Sequence, residues 1–360
     1  MLTALVLAAL LGAQSAALQN LPAEEGILAL NEGMKRFLES KIDLNDPPRA
    51  RLESLVSAVF HENTLGFAYQ GGQTRSAAET FAQRGGNCLS FTTMFIALAR
   101  QAGLDAHFHE VDIVPVWSKR GKVVVVGRHV NVVAFVDGVP FEVDLVPSVS
   151  RIRVGRRTVP DRRGFAHFYS NKGVDLLAQG SLLPALRHFE MAIKSDPSAS
   201  FAWGNLAVVQ AKLGRDSAAE SSYLRAIKSG RSNLAAIHNL ALFYERSGRE
   251  GKARKYWKKA GKFRNKNPYH HFNLGEEAFR SGSFTEAVKH YKSALHRKSE
   301  EHLFHFALAK AYAQLGEVEQ VRKSLRKAQK YAREAALAER YSRKLQLLSA
   351  RANRSTNSSP

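Results

Sequence analysis

Apolar positions in the first third of the chain recur at three- and four-residue intervals. Ile27, Leu30, Met34, Phe37 and Leu38 share one face of a helix expected between Pro22 and Ser40. Asn45-Asp46-Pro47-Pro48 interrupts the pattern. Asp46 is placed to cap the next helix and the two prolines suit its first turn, so a second helix runs to about Phe60. Gly66 to Thr74 is a loop, Arg75 to Gln83 is helical, and Gly85-Gly86 ends that helix just before another begins near Cys88. After Gly103 the pattern changes to β-branched and aromatic runs: Ala106–Val114, Lys122–Val126, His129–Val136 and Val139–Leu145. Asp137-Gly138 marks a tight hairpin between the last two. Helices first and antiparallel strands second is an α+β order. Arg151 to Arg163 is arginine-rich and is expected to be a basic connector, over 151–165.

From about Ala166 the chain repeats every 34 residues. One small residue recurs as Gly173, Ala207, Ala241, Gly275 and Ala309. A second recurs as Ala185, Ala219, Ala253 and Ala287, with Val321 in the fifth copy. A large residue follows four places later, at Phe189, Tyr223, Trp257, Tyr291 and Leu325, and then Ala192, Ala226, Ala260, Ala294 and Ala328. Gly180, Gly214, Gly248, Gly282 and Gly316 supply a turn in each copy. Two antiparallel helices cannot bury both faces alone, so small residues bring them close and the large one fills the gap to the neighbour. This register is similar to the tetratricopeptide repeat, and it implies an all-α solenoid of five repeats over 166–335. A capping helix is expected over 336–352 and a disordered tail over 353–360.

The formal charge is +21. Charge of this size bears on partners rather than on fold. Residues 166–335 hold 30 Lys and Arg against 15 Asp and Glu, and Arg249 to Lys266 alone hold nine basic residues and one acid. The stretch reads equally as a solvated helix face or as a basic edge for an acidic ligand. No regular aromatic interleaving offers a base-stacking platform, so no specific nucleic acid is expected. Residues 1–17 are apolar and uncharged and end in Ser15-Ala16-Ala17, as a secretory signal peptide does, although no basic n-region precedes them. Export, to a periplasm, is the expected localisation; a cytoplasmic chain is the alternative if the segment stays uncleaved or begins at a misassigned start.

The single cysteine, Cys88, excludes an intramolecular disulfide and a cysteine-rich zinc site. It follows Gly85-Gly86-Asn87 and opens a helix, where amide groups and the helix dipole favour a thiolate. His129 starts one strand and Asp144 ends the next, so a tight turn at Asp137-Gly138 returns Asp144 to His129. Cysteine, histidine and aspartate in this order resemble the transglutaminase-like superfamily over roughly Thr64 to Pro147. The resemblance implies a papain-like α+β domain over 18–150. Cys88 is its nucleophile, His129 its base and Asp144 the orienter. Asn87, Gln83 and Tyr69 are candidates for oxyanion support, with helix capping the alternative for Asn87. Such a domain beside tetratricopeptide repeats resembles bacterial proteins that pair the two modules.

The function implied is a cysteine-dependent amide-bond hydrolase or acyltransferase acting on a protein or peptide, with hydrolysis preferred because water is always present. The alternative is an inert transglutaminase-like scaffold that works through its repeats. Expected partners are a protein or peptide on the repeat surface, acidic in character, and in a third reading an anionic membrane surface. His107 and His109, with Asp105, Glu110 and Asp112 near, have strand spacing that can bind a metal, but the strand's alternation accounts for them as structural residues. No metal and no cofactor is expected.

Overall fold

The computed structural model describes residues 23–356 apart from 121–122, 146–152, 231–232 and 333; the expected signal segment, residues 1–17, lies outside the described residues. The chain divides into two compact units, Met1–Ala253 and Arg254–Pro360.

The described part of the first unit opens on three helices, α1 (Glu24–Ile27), α2 (Glu32–Lys41) and α3 (Pro48–Phe60). Asn31 caps α2, its side chain accepting from the Met34 amide at 2.9 Å. The expected Asp46 cap of α3 is replaced by Pro47 at the N-cap and Pro48 inside the first turn, with no side-chain cap. A short parallel pair, β1 (Ala68–Tyr69) and β2 (Gly85–Gly86), brackets α4 (Ala77–Gln83), which starts in a Ser76/Glu79 capping box. Next comes α5 (Cys88–Gln101). Every residue from Leu89 to Ala99 is buried, because the helix is apolar or small-polar on all sides and is covered on all sides.

The sheet consists of β3 (Asp105–Arg120), β4 (Val123–Val136), β5 (Val139–Val143) and β6 (Arg153–Val159). Its order is β5-β4-β3-β6 and every pairing is antiparallel. Asp137 and Gly138 both take positive φ, 52° and 77°, as the expected two-residue hairpin requires. Residues Val123–Val126 of the expected Lys122–Val126 run and the His129–Val136 run join into the single strand β4. From Arg153 on, the arginine-rich segment read as a connector forms edge strand β6 and the start of the next helix, since its backbone pairs in antiparallel register with Phe108 to Ile113 of β3. The sheet is open, with no closed or curled sheet core among the described residues. The expected transglutaminase-like, papain-like α+β fold class is corrected accordingly: most of the described chain is helical, and its dominant architecture is the repeat.

Ten helices form the five repeats, in pairs. They are α6 (Asp161–Ala178) with α7 (Leu182–Ser195), α8 (Ser200–Lys212) with α9 (Asp216–Ser229), and α10 (Leu234–Arg246) with α11 (Glu250–Lys266). Then come α12 (Pro268–Arg280) with α13 (Phe284–Arg297), and α14 (His302–Gln314) with α15 (Val318–Tyr331). The glycine in each turn has φ between 68° and 86°, a backbone that side chains disfavour. α16 (Ala335–Thr356) follows, longer than the expected capping helix and taking in the start of the expected tail.

Candidate functional site

Antiparallel pairing places the polar residues of β4 and β5 before any side chain is considered. Val132 pairs with Val143, which sets Asn131 opposite Asp144 and His129 diagonal to it on the same face. His129 Nε2 lies 2.8 Å from Asp144 Oδ2, and Asn131 Nδ2 donates to the same oxygen at 3.2 Å. His109 Nδ1 reaches Asn131 Oδ1 at 3.0 Å, extending the chain of bonds to β3. Thr92 ties α5 to β4 through bonds to the carbonyls of Cys88 and Val130, 2.8 and 3.2 Å. That brings the half-buried Cys88 thiol into hydrogen-bond reach of the His129 ring. Burial opposes a charge on His129, but the hydrogen bonds its ring donates to Asp144 and Cys88 and the attraction of both outweigh it, raising its pKa to about 9. Cys88, His129 and Asp144 therefore come together.

The expected support residues do not join them. Asn87 caps α5, accepting from the Ser90 amide at 2.9 Å, and its amide group is spent on Gly72 and Thr74. Gln83 is exposed on α4 and Tyr69 is 56% exposed on β1. Asn131 is the residue that sequence reasoning missed; its place two residues after His129 was the available signal.

His107 bonds Asp105 at 2.6 Å in an exposed pair, and no group of three or more His, Cys, Asp or Glu among the described residues is arranged to hold a metal. Glu110 anchors a buried ionic cluster. Arg163 Nε approaches its carboxylate at 2.7 Å and His167 Nε2 at 2.5 Å, with Arg157 on the other oxygen. Arg163 also reaches Asp196 at 3.1 Å, and the His167 ring stacks on Phe201 with centroids 4.2 Å apart. Burial pushes the Glu110 carboxyl up, but His167 and Arg163 hold it far below the usual carboxylate range.

In the repeats of the first unit, a groove of about 320 Å³ opens between α8, α9 and α10. Val208, Ala211, Leu242 and Phe243 form its apolar surface, with Tyr223 beneath; burial raises the Tyr223 hydroxyl pKa. Lys212, Arg246 and Asp216 stand at the rim. Lys212 and Arg246 are exposed and make no ion pair among the described residues. Asn239 faces the groove with no side-chain bond to another described residue. It belongs to a column, Asn171, Asn205, Asn239 and Asn273, that stands two residues before the small-residue column and was legible at the repeat spacing.

The family model described as a tetratricopeptide repeat matches residues 171–236 and 272–335. Solved structures with similarity include YrrB, described as a tetratricopeptide-repeat protein with an unusual peptide-binding site. It is 19% identical, covering 49% of this chain and 92% of that one, with a TM-score of 0.28. PilF of Pseudomonas aeruginosa is 18% identical over 56% of this chain and 96% of that one, TM-score 0.37. A thermophilic repeat protein of Thermus thermophilus is 23% identical over 50% and 99%, TM-score 0.35. A comparison with curated proteins returns no match.

These findings correct the reading of the N-terminal half. The matched family model lies wholly within the repeats and does not reach Cys88, His129 or Asp144. The chain has one cysteine, and no metal-binding cluster accompanies it among the described residues. The transglutaminase-like assignment, and with it the cysteine hydrolase or acyltransferase, is set aside in favour of interaction through the repeats. The physical reason is that the motif was a spacing. A hairpin of this register brings positions 129 and 144 together whatever the pair is used for.

Proposed function

We propose that this protein is an interaction scaffold whose repeats hold a peptide segment of a partner protein. The groove between α8, α9 and α10 carries this reading: an apolar floor, the unspent Asn239 amide and two exposed cations converge on one cleft. Such a mix of apolar surface and a few placed polar groups is what peptide recognition uses. The amide suits the main chain of an extended peptide. Lys212 and Arg246 favour acidic side chains beside it, with Asp216 limiting the preference at one end. The cluster of Cys88, His129, Asn131 and Asp144 is read as a polar core that fastens β4 to β5 and to α5.

The test is a peptide array probed with the full chain, followed by solution affinities for the best binders. Leu242→Asp and Arg246→Glu should each weaken binding by about ten-fold or more, as removal of a central contact does. Peptides that bind both variants as they bind the unaltered chain would place recognition elsewhere.

A further inference from the structure

Two columns of basic side chains recur at the repeat spacing on α11, α13 and α15. Lys255, Lys289 and Lys323 form the first, and Lys258, Lys292 and Arg326 the second. All six are exposed, and all lie within the second unit. The buried residues of these helices, such as Ala260, Tyr291 and Leu325, explain the spacing: each helix turns its apolar side inward and keeps the same solvent side from copy to copy. Arg254 and Lys259 extend the surface on α11, and Lys327 and Lys330 extend it on α15; all four are exposed. Little opposing charge is set among them. Glu286 meets Lys289 at 3.4 Å and Glu319 meets Arg322 at 3.6 Å, both in partly solvated pairs that contribute little. Lys292 also lies 5.7 Å from the Tyr312 ring centre.

Among the described residues of this unit, the large apolar side chains that are exposed are Leu315, at 37%, and Val318, at 47%, both at the turn into α15. They are aliphatic, so they offer a nucleic acid nothing to stack on. Five of the six column residues are lysines, compact point charges without the planar fork that reads a phosphate in two bonds. A regular array of point charges, on a unit that also exposes two aliphatic side chains at one turn, matches an anionic lipid surface, where cations meet headgroups and aliphatic side chains enter the interface. No described helix is long and apolar enough to cross a membrane, so the contact is peripheral.

We propose that the second helices of the last three repeats, α11, α13 and α15, dock on an anionic bilayer. The lysine columns lie against its headgroups, and Leu315 and Val318 enter its surface. This docking face shares no residue with the peptide groove and stands whether or not that groove binds.

Cosedimentation of the full chain with phosphatidylcholine vesicles, with and without phosphatidylserine, tests the proposal. Binding is expected only with phosphatidylserine, and is expected to weaken with added salt. The variant Lys255→Glu/Lys289→Glu/Lys323→Glu should partition roughly a hundred-fold less. Val318→Ser should weaken binding several-fold at unchanged salt dependence. Because all these positions are solvent-facing, unchanged circular dichroism and melting are expected; Lys258→Glu/Lys292→Glu repeats the test at independent sites. Leu242→Asp, in the groove, should leave vesicle binding unchanged, which separates failure here from failure of the peptide reading. Equal binding to both vesicle types, or undiminished binding by the triple variant, would overturn the proposal. So would duplex DNA that binds as tightly as the vesicles together with a Val318→Ser variant that behaves as the unaltered chain; that outcome assigns the columns to a polyanion.

Discussion

The small-residue column of the repeats is a statement about space between helices. A Cβ at Gly173 would stand 2.6 Å from Phe189, and one at Gly275 would stand 2.5 Å from Tyr291, closer than such atoms approach. Gly204 sits in a helix too, but its nearest neighbour would be 3.8 Å away. Gly173→Ala and Gly275→Ala should therefore each destabilise by about 1–3 kcal/mol through overpacking. Gly204→Ala should instead stabilise by about 0.5–1 kcal/mol, since only the cost of glycine in a helix is removed. Chemical denaturation of the three variants checks the contrast. At His129 the expectation concerns protons. Burial lowers its affinity for a proton, and Asp144 and Cys88 more than restore it, to a pKa of about 9. The raised folded value means that this residue's contribution to stability is full below its ordinary pKa of 6.5 and is lost as pH rises toward 9. NMR titration of the imidazole should show the raised value, and Asp144→Asn should lower it. An unshifted titration in the unaltered chain would contradict the geometry.

Between elements, Glu110 is the junction. It lies on β3, and its partners come from β6 and from α6, with Asp196 after α7 joined through Arg163. The sheet is thus fastened to the first repeat by a buried ionic cluster as well as by apolar contact. Removing one member of such a cluster leaves the others charged and uncompensated. Glu110→Gln should cost about 3–5 kcal/mol in unfolding free energy. Because the carboxyl is held below its ordinary range, its contribution is present above a pH of 4.5 and is lost as pH falls. The unaltered chain should therefore lose stability progressively as pH falls below 4.5, before this carboxylate itself protonates in the fold, and the Glu110→Gln chain should lack that component. Followed by circular dichroism, the two acid titrations should converge at low pH.

Across the molecule, a repeat array spreads its stability over neighbour contacts, so damage at one end stays local. α16 supplies Tyr341, 4% exposed, whose ring lies 5.2 Å from Phe306 and whose hydroxyl is 3.0 Å from His302 Nδ1. Tyr341→Ala should raise amide exchange in α14, α15 and α16 and leave α5 and the sheet protected. Hydrogen exchange read by mass spectrometry distinguishes this from global loosening, which would show the same increase in α5. The charge of +21 acts at this scale as well. A net charge of this size attracts acidic molecules from a distance, so any association that depends on it should weaken with added salt.

The repeats were legible because their signal is arithmetic. Five copies hold the same residue classes at a fixed period, and a two-helix unit has few other ways to use them. The hairpin was legible from Asp137-Gly138, and with it the meeting of His129 and Asp144, because period-two geometry fixes which residues share a face. Other features depended on contacts distant in sequence. The pairing of β6 with β3 turned a presumed connector into a strand, and no local pattern announces an edge partner. Asn131 and Glu110 acquired their roles from side chains in other elements. The assignment of chemistry from three residues failed for a related reason. Order and spacing specify who can meet; what a meeting is for depends on the surroundings that the fold supplies.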